Sequence, residues 1–248
     1  MAGLFRRWSR LAVALAASLA LAGPARAGDW EFIVNPYVMA PSSNGKFGVG
    51  PFETQISTSA AAVFRNLNWG VMGGLEANNG VWGVNLDINY MNVDVTDDDV
   101  RRLSVNGHQA AYTGTLLRRV HENAWVYAGL RLSDMGVALG CNQACPLPGG
   151  TPVRRGKQWV EALAGFRADL PFNDRLAMVM TADVGGFGFG SEISVNAWPQ
   201  LALRTGRNSR ALLGYRLIYV KHESGEGASR FEYDALTFGP TLGVEFRF

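Results

Sequence analysis

The sequence predicts an all-β chain closed into an antiparallel transmembrane β-barrel of ten strands. Three observations predict it. Apolar and polar residues alternate with period two over runs of about ten or more residues. The breaks between runs are alternately short and long. The polar faces carry Arg and carboxylates in near balance, with Lys only near strand ends (Lys157, Lys221). Strand side chains alternate between faces, so every run has a greasy side and a polar side. A sandwich buries the greasy side against a second sheet; a membrane barrel turns it to lipid and encloses the polar side.

The chain begins with a different signal. Residues 1–27 hold Arg6, Arg7 and Arg10, then the apolar run Leu11 to Ala22, then Ala25-Arg26-Ala27. That order reads as a secretory signal peptide, and its apolar run is too short to span a bilayer. Its removal leaves 221 residues (248 less 27) as one barrel domain, residues 28–248. The segment carries four Arg and no acid, so 19 basic residues (23 less 4) face 21 acidic ones in the remainder. The sequence pI near 8.6 therefore belongs to the precursor and gives no sign of a nucleic-acid partner.

The strands follow in order, at about 30–40, 66–77, 80–94, 107–120, 123–136, 157–170, 174–185, 191–204, 209–221 and 230–248. In VWGVNLDINYMNV, Trp82, Val84, Leu86, Ile88 and Tyr90 oppose Gly83, Asn85, Asp87 and Asn89. In KQWVEALAGFRADL, Val160, Ala162, Ala164, Phe166, Ala168 and Leu170 oppose Glu161, Gly165, Arg167 and Asp169. The short breaks ANNG, HEN, PFND and TGRNS have hairpin chemistry in their Asn, Asp, Gly and Pro. The long ones lie at about 41–66, 96–106, 137–156, 185–192 and 222–230. If GGFGFGSE did not separate a pair of strands, the count would fall to eight. Within the first long break, STSAAAVFRNL reads as a short helix capped by Ser57 or Ser59. Pro199 and Pro240 fall inside strands, where each removes a ladder donor, and a bulge is expected at each.

Long strands of this kind match the length needed to cross a bilayer at a tilt. Closure also removes the edge that lipid cannot hydrogen-bond. The final run, GPTLGVEFRF, sets Leu242, Val244, Phe246 and Phe248 on one face, ready to pair with the first strand, WEFIVNPYVMA. The alternation then sends Glu76, Asp87, Arg131, Glu161, Arg167, Asp169, Asp183, Arg204, Arg216, Glu245 and Arg247 to the barrel interior, where buried charge must be paired. Trp30, Trp82, Trp125, Trp159 and Trp198 lie near strand ends as interfacial belts, with Trp198 inward by phase.

The remaining chemistry is sparse. Cys141 and Cys145 are spaced for a loop disulfide in an exported chain, and they lack the further ligands of a zinc site. No cofactor and no metal site is expected, although Asp97, Asp98 and Asp99 offer carboxylates to a divalent cation. The His residues are His108 and His222 at the outer rim and His121 in a short turn. His222, Glu223 and Ser224 are consecutive, and neighbours in an extended chain point opposite ways, so they do not form one triad. A composite site joining His108 to His222 is the enzymatic alternative.

The alternating C-terminal strand ending in Phe resembles the insertion signal of bacterial outer-membrane barrels, carried by Phe246 and Phe248. The stretches LEANNGVWGVNLDINYMNV, ADVGGFGFGSEIS, LLGYRLIYVKHE and FGPTLGVEFRF are similar to small monomeric outer-membrane barrels of the OmpA and OmpW type, and to uncharacterised proteobacterial barrel proteins. The resemblance implies the bacterial outer membrane as location. It implies outer-membrane lipid as surroundings, the insertion machinery as a partner during biogenesis, and a monomer. On this reading the expected role is non-enzymatic, in envelope integrity or as a narrow, porin-like passive channel. A rim-sited hydrolase or acyltransferase acting on lipid or peptide is the alternative.

Overall fold

Each alternating run becomes a strand. The computed structural model describes residues 30–50, 52–96, 103–141 and 153–248. Among them lie twelve strands: β1 (Glu31–Met39), β2 (Ser42–Val49), β3 (Phe52–Thr58), β4 (Leu67–Asn78), β5 (Trp82–Thr96), β6 (Leu103–His121), β7 (Ala124–Cys141), β8 (Val153–Pro171), β9 (Leu176–Gly186), β10 (Ile193–Arg204), β11 (Ser209–Ser224) and β12 (Phe231–Arg247). One short helix, α1 (Ala60–Asn66), follows β3. All pairings are antiparallel, and the wall runs β1-β4-β5 through β12 and back to β1, a closed barrel of ten strands.

The short turns work as their residues dictate. Asn79 Oδ1 accepts from the amides of Val81 at 3.0 Å and Trp82 at 2.8 Å. Asn173 Oδ1 does the same for Arg175 and Leu176, both at 2.9 Å. Asn side chains that bond the backbone two or three residues on replace a ladder bond at the reversal. Closure falls to the chain ends: Phe32 N–H donates to the Phe248 carbonyl at 3.1 Å, and Phe248 N–H to the Phe32 carbonyl at 2.9 Å.

The strand layout departs from the sequence reading in three respects. The first long break contains a hairpin: β2 continues along β12 in the register begun by β1, and β3 folds back on β2. The short helix is where the sequence places it, and of its two candidate caps Ser59 is the one used, its Oγ accepting from Ala62 N–H at 3.3 Å. Neither proline carries a bulge. Pro199 keeps the β9–β10 register with Met180, and Pro240 keeps the β11–β12 register with Tyr215. The missing donor of Pro240 faces Ala40, where the ladder is already interrupted between β1 and β2, and the Pro240 carbonyl still accepts from Ala40 N–H at 2.9 Å. A Cβ at Gly239 would run into the Ala40 carbonyl, so the strands approach closely there. Finally, β6, β7 and β8 reach several residues farther at the long-loop end than alternation indicates.

The outer surface is a belt of exposed apolar side chains. Val38, Val84, Leu116 and Leu130 are 60%, 51%, 54% and 54% exposed. Among the described residues, no helix is long and apolar enough to cross a membrane; the strands are the spanning elements. Toward the long loops the belt ends in Trp69 stacked on Tyr90, with ring centroids 4.4 Å apart. Toward the short turns it ends near Trp82, with the Arg118 guanidinium 4.6 Å from the ring centre. Trp82 and Tyr90 are eight residues apart on one strand, which at about 3.3 Å per residue and a tilt of about 40° separates them by about 20 Å along the barrel axis. Trp125 and Trp159 are not interfacial: like Trp198 they are buried inside, because they fall on the polar phase of their strands.

Leu130→Arg would place a charge on this belt. The expected cost is about 2–4 kcal/mol if the position lies near the bilayer midplane. Equilibrium refolding into phospholipid vesicles checks it; an unchanged transition would mean that Leu130 does not face hydrocarbon.

Candidate functional site

The lumen holds three layers. The middle one is ionic. Arg131 on β7 donates to Glu161 on β8 at 3.0 Å, to Asp183 on β9 at 2.6 Å, and to Thr113 on β6 at 3.2 Å. Asp183 also accepts from Tyr127 at 3.1 Å and from Asn196 on β10 at 2.8 Å. Asn196 in turn accepts from Arg216 on β11 at 3.0 Å. Arg216 then crosses the lumen, donating to Tyr37 on β1 at 2.7 Å and to Asp87 on β5 at 3.2 Å. Its guanidinium sits 4.6 Å from the Trp198 ring centre. One hydrogen-bonded chain therefore ties together eight of the ten wall strands, leaving out β4 and β12. Trp198 reaches β12 through Thr241 at 2.9 Å, and Arg167 on β8 forks onto Glu76 on β4.

The geometry suits Arg and no other cation. Its planar fork serves several acceptors at fixed angles and stays charged when buried. Glu161 is fully buried, and its Oε2 has no hydrogen-bond partner among the described residues. Asp183 has three donors and Glu161 a single one, so the two carboxylates are unequal partners of Arg131.

Toward the short turns the lumen opens. A cavity of about 120 Å³ lies beside Asp87, Arg167 and Arg216. It shares Ile33, Arg167, Val179 and Glu245 with a vestibule of about 380 Å³ at the short-turn end. There Arg210 donates to Glu245 at 2.9 Å and to Asp169 at 2.6 Å, and Arg247 donates to Glu245 at 2.7 Å. Arg204 lines the same vestibule but is exposed at its mouth. Toward the long loops the lumen is filled by Trp159, Val220, Phe231, Tyr233 and Ala235, with Phe47, Ile56 and Met135 packed against them.

Arg210 was not legible as an interior charge because it opens its strand right after a turn. Strand phase gave the side on which each charge lies but not its partner: Arg216 meets Asp87 across 129 residues, and Arg167 meets Glu76 across 91. The composite His site does not form. His108 stands on the outward face of β6, 3.4 Å from Asp134, whereas His222 points inward from β11. His222 instead meets Ser224 at 3.1 Å, since alternate residues share a face. Cys141 closes β7, but its predicted disulfide partner Cys145, the Asp97–Asp99 run and the signal segment lie outside the described residues.

No protein-family model matches the sequence, and no curated protein does. Among solved structures, the chain is similar to a major outer membrane protein from Thermus thermophilus, at 13% identity over 89% of this chain and 100% of that one, TM-score 0.44. It is similar to Ail of Yersinia pestis, solved with the heparin analogue sucrose octasulfate, at 12% identity over 88% and 98%, TM-score 0.42. It is similar to Neisserial surface protein A at 9% identity over 89% and 98%, TM-score 0.33. Likenesses this loose carry no argument about activity. A closed antiparallel barrel with an apolar outer belt is the architecture of bacterial outer-membrane proteins, and the outer membrane is where this chain belongs.

Removing Arg131 would strand two buried carboxylates. Arg131→Met is expected to cost about 3–5 kcal/mol in a denaturant unfolding transition of the refolded barrel. Asp183→Asn is expected to cost more than Glu161→Gln, because Asp183 serves three donors and Glu161 one. Equal losses for the two would contradict this division.

Proposed function

We propose that the protein is a sealed barrel with a structural role in the envelope, not a conduit. The observation that supports this reading is the pair of layers across its lumen. The ionic chain from Thr113 to Asp87 spans the interior, and the Trp159–Phe231–Tyr233 cluster fills the space between it and the long loops. In a narrow barrel, inward side chains are enough to fill the lumen. Opening a path would separate paired charges in a low-dielectric space, and breaking such a pair is costly. The vestibule at the short-turn end is open but ends blind at this layer. By the rule that short turns lie on the periplasmic side, it faces the periplasm.

Purified, heat-modifiable protein in planar bilayers is expected to give silent membranes even at high protein load. Discrete conductance steps from the folded band would favour the narrow-channel reading instead.

A further inference from the structure

The wall is low between β8 and β11, and an unusual trio of groups stands there. Strands β9 and β10 have 11 and 12 residues, whereas their neighbours β8 and β11 have 19 and 16. Pairing of β8 with β9 stops at Leu163 and Gly185, and pairing of β10 with β11 starts at Ile193 and Lys221. Beyond that level, inward side chains of β8 and β11 meet directly. Trp159 stacks on the His222 ring with centroids 4.3 Å apart and planes at 8°.

The bonds of His222 define its tautomer. Nδ1 lies 2.5 Å from the Gly190 carbonyl oxygen, and Nε2 lies 3.1 Å from Ser224 Oγ. A carbonyl only accepts, so Nδ1 carries the proton and the neutral ring turns its Nε2 lone pair to the Ser224 hydroxyl. Nucleophile, base and orienting acceptor stand in the order that activates a hydroxyl. Glu223 takes no part, since it faces the other way and accepts from Arg230 at 3.1 Å.

The surroundings hold this order in place. Trp159 is fixed by its Nε1–H on Ser191 Oγ at 2.8 Å. Gly190 has φ +82°, and a Cβ there would run into the Val160 carbonyl, so the orienting carbonyl belongs to a position only glycine fits. Gly225, at φ +74°, turns the chain sharply just after Ser224. His222 is buried while Ser224 is half-exposed, so the hydroxyl is within reach of a substrate. The turn that supplies Gly190 also displays Phe187 and Phe189, 68% and 60% exposed, at the tip of the low wall.

We propose that Ser224 and His222 are the nucleophile and general base of an ester-hydrolysing site at the long-loop rim. Its substrate is an acyl ester of a lipid in the surrounding leaflet, whose chain passes over Phe187 and Phe189. Ser224 Oγ attacks the ester carbonyl carbon as its proton moves to His222 Nε2. The C–O bond to the leaving group breaks, and that oxygen takes the proton from Nε2 and departs as the alcohol. Water then attacks the acyl-serine ester, giving a proton to Nε2. The carboxylic acid leaves, and Ser224 recovers the proton. This goes beyond the sealed-barrel reading and stands apart from it, because conductance does not report on Ser224.

The test uses the full chain refolded in detergent, with heat modifiability as the fold check and a fluorophosphonate probe. Labelling is expected on Ser224, located by peptide mass spectrometry. Ser224→Ala is expected to abolish it and His222→Asn to slow it about 100-fold or more. A folded wild type that takes no label, or a folded Ser224→Ala variant labelled as well as wild type, overturns the site. Fatty-acid release from phosphatidylethanolamine vesicles holding the barrel tests the substrate class. Release from vesicles that falls several-fold more than turnover of a soluble short-chain ester does in a Phe187→Ser, Phe189→Ser double variant supports a lipid ester, and equal falls overturn it. Soluble-ester turnover with no release from vesicles overturns that assignment.

Discussion

Hydrocarbon offers no hydrogen bonds, and this constraint shapes everything else in the molecule. Every backbone amide and carbonyl in the belt has to be paired within the wall. A sheet with a free edge cannot meet that condition, so the first strand is bonded to the last, with Phe32 and Phe248 locking the seam. The same condition forces the apolar phase of each strand outward. What remains, including the Arg and carboxylates that lie within the belt, is turned inward into a narrow space. There desolvated charge persists only if matched, and Arg131, Arg167, Arg210 and Arg216 do the matching. The ionic layer is thus a consequence of closure as much as a device for stability.

That link explains which regions of the fold could be read in advance. Within the belt, lipid imposes period two on the sequence, and strands such as β5 and β10 stand out residue by residue. Beyond the belt the outward side faces water, and the signal fades. Asn92, Asn106, Asp134 and Gln158 are outward residues that bond one another where apolar residues would otherwise be needed. The extensions of β6 to β8 were therefore invisible, and so was the β2–β3 hairpin, whose first strand reads SSNGKFGV. The prolines misled for a related reason. A bulge is the remedy when a donor is missed, but at Pro240 the partner strand is itself broken at Ala40–Pro41.

The candidate sites were legible to different depths. Phase alone assigned the interior charges to a face, because parity survives folding. The pairings cross up to 129 residues and depend on strand order and stagger, which no local pattern carries. His222 and Ser224 show the opposite failure. Their spacing of two along β11 is the spacing that puts them side by side, and the consecutive HES obscured it. The Gly190 carbonyl had no signal at all, since a backbone group is the same in every residue.

A closed lumen and a low stretch of rim fit together physically. With the interior filled by ion pairs and aromatic rings, the surfaces that remain for chemistry are the ends. The central claim beneath all of this is the facing of the strands, and one measurement reads it directly. Nitroxide labels placed singly at positions 83 to 90, in barrels reconstituted in vesicles, report collision with dissolved oxygen, which is concentrated in hydrocarbon. The account predicts oxygen accessibility rising and falling with period two, highest at Val84, Leu86 and Ile88 and low at Asn85, Asp87 and Asn89. A flat profile, or one in which both sets of positions collide equally with a water-soluble relaxant, would contradict it.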